Sequence, residues 1–254
     1  MPTINGLFFT ERSHENSPYP PIVLVHGAGG SHLDWPPELR RLPQARVIAL
    51  DLPGHGRSAG PGFDDTLEYA RSVCTLLDGL NIERAVIVGH SMGGAIAQQI
   101  GIFLPARAAG LVLVGTGSKL PVEPTLPQRI LDDPEGTVDW IAEWAWSADA
   151  PTDVKTLGRQ RLLAVPPKVL RRDYLACQAF DVRESLGLIT TPVLVLGATE
   201  DRMVKLKFST YLAENIPNAT LVVVDGAGHM FPLEKAQVVA SAVSDWLAAQ
   251  EWDR

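Results

Sequence analysis

Ala85-Val-Ile-Val-Gly-His-Ser-Met-Gly-Gly94 runs from an apolar, β-branched stretch straight into Ala95-Ile-Ala-Gln-Gln-Ile-Gly-Ile-Phe-Leu104, which has a helical pattern. A strand that turns at once into a helix leaves little room around Ser91. Small residues two before it (Gly89) and two after it (Gly93) let the backbone pass and hold the serine oxygen out above a sheet. The helix also directs its free N–H groups and positive dipole end toward the same place.

Five further runs share the character of 84–90: residues 22–27 (IVLVHG), 45–51 (ARVIALD), 110–115 (GLVLVG), 191–197 (TPVLVLG) and 219–225 (ATLVVVD). Continuous rather than alternating hydrophobicity marks strands buried on both faces, as in a parallel sheet covered by helices. The connecting segments are long enough for crossover helices. The fold class is therefore α/β.

About 75 residues separate the run at 110–115 from that at 191–197, far more than one crossover helix requires. Prolines 121, 124, 127, 134, 151, 166 and 167 punctuate this stretch into short helices. A helical cap is expected over 118–187, inserted in a core formed by 1–117 and 188–254.

With 254 residues, 46% hydrophobic and 20% charged, the chain suits one core domain. The N-terminal residues lack the basic segment and apolar run of a secretion signal. No run reaches the roughly 18 apolar residues of a membrane span. A soluble, cytoplasmic monomer or homodimer is expected, without membrane partners. Twenty-two basic against 29 acidic side chains, a net charge of −7, oppose binding to nucleic acid. Cys74 and Cys177 form neither a metal-ligand spacing nor a disulfide framework and read as buried free thiols.

A serine hydroxyl is a weak nucleophile until a base stands within hydrogen-bond reach, and the base needs a carboxylate to orient it. His14, His26, His32, His55 and His90 precede Ser91, and His229 alone follows it. Two acids, Glu200 and Asp201, follow the run at 191–197 and are the candidates for that carboxylate. The other strand end where an acid would serve carries Thr116-Gly-Ser-Lys119, without a carboxylate.

Together with Val25-His-Gly-Ala-Gly-Gly30, Asp51-Leu-Pro-Gly-His-Gly-Arg-Ser58 and Gly226-Ala-Gly-His229, the Ser91 turn resembles the α/β-hydrolase superfamily, specifically its small capped serine esterase-like members. The likeness covers nearly the whole chain. It implies a mostly parallel central sheet flanked by helices, with a helical cap inserted after the sixth strand. In such proteins the chain order is serine, acid, histidine and the acid usually falls four residues past the strand's final glycine, here Gly197, which makes Ser91 the nucleophile, Asp201 the acid with Glu200 as its alternative, and His229 the base. The resemblance also implies that Ala28 and Met92 donate backbone N–H groups to the oxyanion. His26 and the 51–58 loop read as structural.

The expected reaction is hydrolysis of a small-molecule carboxylic ester through an acyl-enzyme, with no metal or organic cofactor. Serine at the turn argues against relatives that use aspartate there, such as haloalkane dehalogenases and epoxide hydrolases. Carbon–carbon hydrolases of ring-cleavage products, lactonases and perhydrolases keep the same triad. His90, where ring-cleavage hydrolases often carry asparagine, leans toward an ester. A ligand-binding member without turnover is the alternative from another class. In the cap, Trp140, Trp144 and Trp146 either roof an acyl pocket or pack the cap itself. The basic run Lys155, Arg159, Arg161, Lys168, Arg171 and Arg172 either attracts an anionic substrate or forms a solvated face.

Overall fold

The computed structural model describes residues 3–14 and 16–252. Its eight strands are β1 (Thr3–Ile4), β2 (Leu7–Arg12), β3 (Ile22–Val25), β4 (Val47–Leu50), β5 (Ala85–His90), β6 (Ala108–Val114), β7 (Val193–Ala198) and β8 (Ala219–Val224). They form one sheet in the order β1-β2-β4-β3-β5-β6-β7-β8. The pairs β1–β2 and β2–β4 are antiparallel, and every later pair is parallel.

Among the described residues ten α-helices accompany the sheet: α1 (Pro37–Arg40), α2 (Thr66–Gly79), α3 (Met92–Phe103), α4 (Leu126–Asp132), α5 (Pro134–Ala145), α6 (Thr152–Leu163), α7 (Pro167–Ala179), α8 (Leu206–Asn215), α9 (Phe231–Glu234) and α10 (Ala236–Ala249). Side chains alternate across each strand, so the central strands feed two cores. Val23, Val25, Ala85 and Ile87 face one core with α2, α3 and α8. Ile22, Leu24, Val86 and Val88 face the other with α1 and α10. Each such Val, Leu or Ile side chain, fully buried, contributes about 1.5–3 kcal/mol.

The four helices α4 to α7 lie between β6 and β7 and have their own small core of Leu126, Ile130, Val138, Ile141, Leu170 and Tyr174. Prolines sit where they cost no helical hydrogen bond: Pro127, Pro134 and Pro167 open α4, α5 and α7, and Pro151 caps α6.

Two features differ from the sequence reading. Strands β1 and β2 were not among the apolar runs, because only Leu7, Phe8 and Phe9 are buried and the strand ends in exposed Glu11 and Arg12. Strand β8 is not buried on both faces: it is the sheet edge, with Thr220 and Val223 exposed. Among the described residues no helix is long and apolar enough to cross a membrane. Cys177 is buried and Cys74 half-buried, and both are free.

Candidate active site

All parallel strands end on the same side, and the residues singled out from the sequence follow four of them: Ala28 after β3, Ser91 after β5, Asp201 after β7 and His229 after β8. This is where open α/β sheets place their ligands.

Ser91 sits between β5 and α3 with φ 53° and ψ −116°, a left-handed backbone that non-glycine residues rarely adopt. Its N–H donates to Val114 O at 2.9 Å, and the Thr116 hydroxyl donates to its carbonyl at 2.9 Å. Thr116, set aside for lacking a carboxylate, thus braces the serine turn from β6. Gly93 is required by close approach, since an added Cβ would fall on the carbonyl oxygen of Val25 and lie 2.7 Å from that of His26.

His229 Nδ1 lies 2.8 Å from Asp201 Oδ2. Asp201 Oδ1 accepts the N–H groups of Met203 (2.9 Å) and Val204 (2.7 Å), so the carboxylate is fixed from its own loop. Glu200 is exposed. The His229 main chain is held too: its carbonyl oxygen is 3.0 Å from His90 Nε2. A carbonyl cannot donate, so that nitrogen carries the proton. Burial, and then the charge of His229, lower the His90 pKa to about 3, which keeps the ring neutral. The next N–H, of Met230, donates to Ala145 O at the end of α5.

The Gly27–Gly30 loop abuts the serine: a Cβ on Gly27 would lie 3.2 Å from that of Ser91. Ala28 lines the same cavity as Ser91. Met92, buried, is the first residue of α3, where an N–H has no acceptor within the helix. His26 ties this loop down, accepting the Leu52 N–H at Nε2 (3.0 Å) and meeting Gly27 O at Nδ1 (2.8 Å). Burial, and then the His55 charge, lower its pKa to about 4.

Ser91, His90, His229 and Ala28 open on one cavity of about 120 Å³. Its walls are mainly apolar, with Leu120, Val122, Ile141, Trp146, Leu162, Met203 and Met230 among them. Of Trp140, Trp144 and Trp146 only Trp146 lies on it. Trp140 and Trp144 pack against each other with tilted rings (5.8 Å between centroids), with Arg129 over the first and Arg202 over the second. The physical reason is helical direction: Ile141, Ala142 and Ala145 present the α5 face that meets the cavity, and Trp140 and Trp144 fall on another.

Of the six basic residues of the 155–172 run only Arg161 reaches the cavity, where it donates to Leu33 O at 3.1 Å and stands 3.6 Å from Asp34. Desolvation of Asp34, outweighing the effect of Arg161, raises its pKa to about 6. Arg159 pairs with Glu135 and Asp139, and Lys155 and Arg172 donate to backbone carbonyls. Among the described residues no group of three or more His, Cys, Asp or Glu side chains is placed to hold a metal ion.

Residues 22–242 match the model of the alpha/beta hydrolase family. A protein of Variovorax paradoxus (strain S110) named as a carbamate hydrolase, RutD, is 33% identical over 89% of this chain and 91% of its own. The 2-hydroxymuconate semialdehyde hydrolase of Pseudomonas putida is 32% identical over 90% of this chain and 87% of its own. Among solved structures, a thermophilic esterase from Thermogutta terrifontis with malate bound superposes with a TM-score of 0.87, at 26% identity, over 95% of this chain and 93% of that one.

Proposed function

Because the chain belongs to the alpha/beta hydrolase family, we propose that it is a serine hydrolase that cleaves small carboxylic esters through an acyl-enzyme. The observation that carries this reading is that Ser91, on its strained turn, and His229, braced by Asp201, open on one largely apolar cavity. Ser91 Oγ attacks the ester carbonyl while His229 Nε2 takes its proton. Asp201 fixes the imidazole and stabilises its cation. The N–H groups of Ala28 and Met92 receive the developing oxyanion. His229 then protonates the leaving alcohol and activates the water that frees Ser91.

In this reading residues 118–187 act as the cap, and Trp146 forms part of the acyl wall. A cavity of about 120 Å³ is somewhat smaller than the roughly 150 Å³ that accommodates a benzene ring, which favours short acyl groups. The enzyme works without a cofactor, in the cytoplasm, as a monomer or homodimer. A fluorophosphonate probe should label Ser91 and stop turnover of p-nitrophenyl acetate. Labelling elsewhere, or turnover by Ser91→Ala, would refute the assignment.

One observation favours a second reading, in which the substrate is an anionic lactone or ring-cleavage product. Arg161 places a guanidinium on the cavity wall, suited to a carboxylate. Arg161→Gln should then raise KM for a carboxylate-bearing substrate and spare a neutral ester. Equal effects on both would leave the neutral ester as the better reading.

A further inference from the structure

Asp173 projects from α7 and is fully buried, yet nothing in the proposed acyl-enzyme chemistry uses it. Its Oδ2 accepts the backbone N–H of Gly29 at 2.7 Å and faces His55 Nε2 at 2.7 Å. Its Oδ1 accepts the Tyr69 hydroxyl at 2.6 Å. One carboxylate from the helices between β6 and β7 is therefore gripped by three parts of the core: the 27–30 loop, the 51–58 loop and α2.

The grip is charged. His55 Nδ1 lies 3.1 Å from Pro53 O, and both ring nitrogens thus face acceptors, which requires a proton on each. Burial alone would lower the His55 pKa; the charge and hydrogen bond of Asp173 outweigh it and hold the value above the ordinary one. Packing repeats the arrangement. Gly29 has φ +64°, and a Cβ there would overlap Leu162 of α6 and lie 2.6 Å from Leu170 of α7. Gly29 adjoins Ala28.

We propose that Asp173 is a positioning residue: by holding the Gly29 N–H it fixes the loop that presents the Ala28 N–H, so the oxyanion site is complete only with α7 docked. This rests on the reading of Ala28 as an oxyanion donor. A buried carboxylate shared among a backbone N–H, an imidazolium and a phenol is expensive to desolvate and is stable only when each partner is in place. It therefore admits one loop geometry. Displacing a donor by about 1 Å can cost on the order of 10²-fold in rate.

The test compares three variants by kcat, KM and the Ki of phenylboronic acid, which adds to the serine as a tetrahedral anion and so reports the oxyanion site. Asp173→Ala should lower kcat by about 10²-fold, leave KM within about threefold, and raise Ki by the same factor as kcat/KM falls. Asp173→Asn keeps the shape and a weaker, neutral acceptor, and should lose only about three- to tenfold in both readouts. Arg172→Ala, which removes the donation from α7 to the Gly62 carbonyl and does not touch Gly29, should stay within about twofold.

The proposal is overturned if both Asp173 variants keep the wild-type kcat/KM and Ki, if KM alone moves, or if Arg172→Ala loses as much as Asp173→Ala. Should Asp173→Ala not fold, Asp173→Asn against Arg172→Ala decides. Failure of the underlying reading looks different: the boronate would not inhibit the wild-type protein, or Ser91→Ala would still turn over ester. Either result removes both ideas.

Discussion

Asp201 gives His229 one carboxylate oxygen, Oδ2, at 2.8 Å, while its other oxygen is already engaged by two backbone N–H groups. The acid can therefore not swing away from the imidazole without breaking bonds to its own loop. Ser91→Ala and His229→Ala should each lower kcat by roughly 10⁴- to 10⁶-fold with the fold intact. Asp201→Asn should cost less than either. Glu200→Gln should be nearly silent, since that side chain is exposed. Steady-state kinetics on p-nitrophenyl acetate, with circular dichroism as a folding control, check all four; a crippled Glu200→Gln beside a healthy Asp201→Asn would reverse the acid assignment.

The close approach of Gly93 to β3 yields a stability prediction. An alanine methyl there would collide with the Val25 carbonyl, a backbone group with no rotamer to change. Gly93→Ala should thus exceed the usual overpacking penalty of about 1–3 kcal/mol and fail to accumulate as folded protein. Gly187→Ala is the control, because a methyl at Gly187 meets nothing within 4 Å. A Gly93→Ala protein with a wild-type urea midpoint would contradict the packing described.

The parts of the site legible in the sequence were those whose chemistry is bound to local chain geometry. Gly89, Ser91 and Gly93 announce a strand-to-helix turn, and chain order leaves His229 as the histidine after it. Asp173 was not legible, because its partners Gly29, Tyr69 and His55 lie more than a hundred residues away in sequence. The part of Thr116 was not legible either, since a hydroxyl bracing a backbone carbonyl leaves no mark in the sequence and the position reads only as one without a carboxylate. Strands β1 and β2 escaped because β1 is two residues long and β2 ends in the exposed Glu11 and Arg12, which leaves no continuous apolar run of the kind that marks β3, β5 and β7.

Four buried or half-buried groups set a pH dependence of stability. His26 titrates in the folded protein at about 4 and His90 at about 3, against an ordinary 6.5. As pH falls from 6.5 toward 4, the unfolded chain binds two protons that the native state refuses, and stability is lost. Asp34, raised from 3.8 to about 6, acts in the opposite sense over that span and offsets one of them. Net uptake on unfolding is then about one proton between pH 6 and 4, or about 1.4 kcal/mol per pH unit. His55, shifted upward, contributes stability that is complete below 6.5 and lost as pH rises through its folded value. The urea midpoint should accordingly peak near pH 6.5 and decline on both sides. A midpoint that is flat or rises from pH 6 down to 4 would show that His26 and His90 are not held neutral.

The separation of the three tryptophans gives the sharpest test of the cavity. Trp146 is 4% exposed and lies on the cavity wall, and its indole packs so tightly on α6 that a Cβ on Gly158 would come within 2.6 Å of Cζ2. Trp144 is 39% exposed and held by Arg202 at 5.5 Å, a contact worth about 0.5–1 kcal/mol at such a site. Truncating Trp146 should therefore do two things at once. Trp146→Ala should cost about 3–5 kcal/mol, as for a buried aromatic, and enlarge the acyl space; Trp146→Leu should enlarge it with a smaller loss of stability. In Trp146→Leu, kcat/KM should fall for acetate and rise for octanoate and benzoate relative to the wild-type ranking, because discrimination in an apolar pocket follows volume at about 1–3 kcal/mol per methylene. Trp140→Ala and Trp144→Ala should keep the wild-type ranking. The measurement is kcat/KM for acetate, butyrate, octanoate and benzoate esters beside the urea midpoint of each variant. An unchanged ranking in Trp146→Leu, or a change in Trp144→Ala as large as any in Trp146→Leu, would mean that acyl selectivity is set elsewhere, and Leu162 and Ile141 would be the next wall residues to vary.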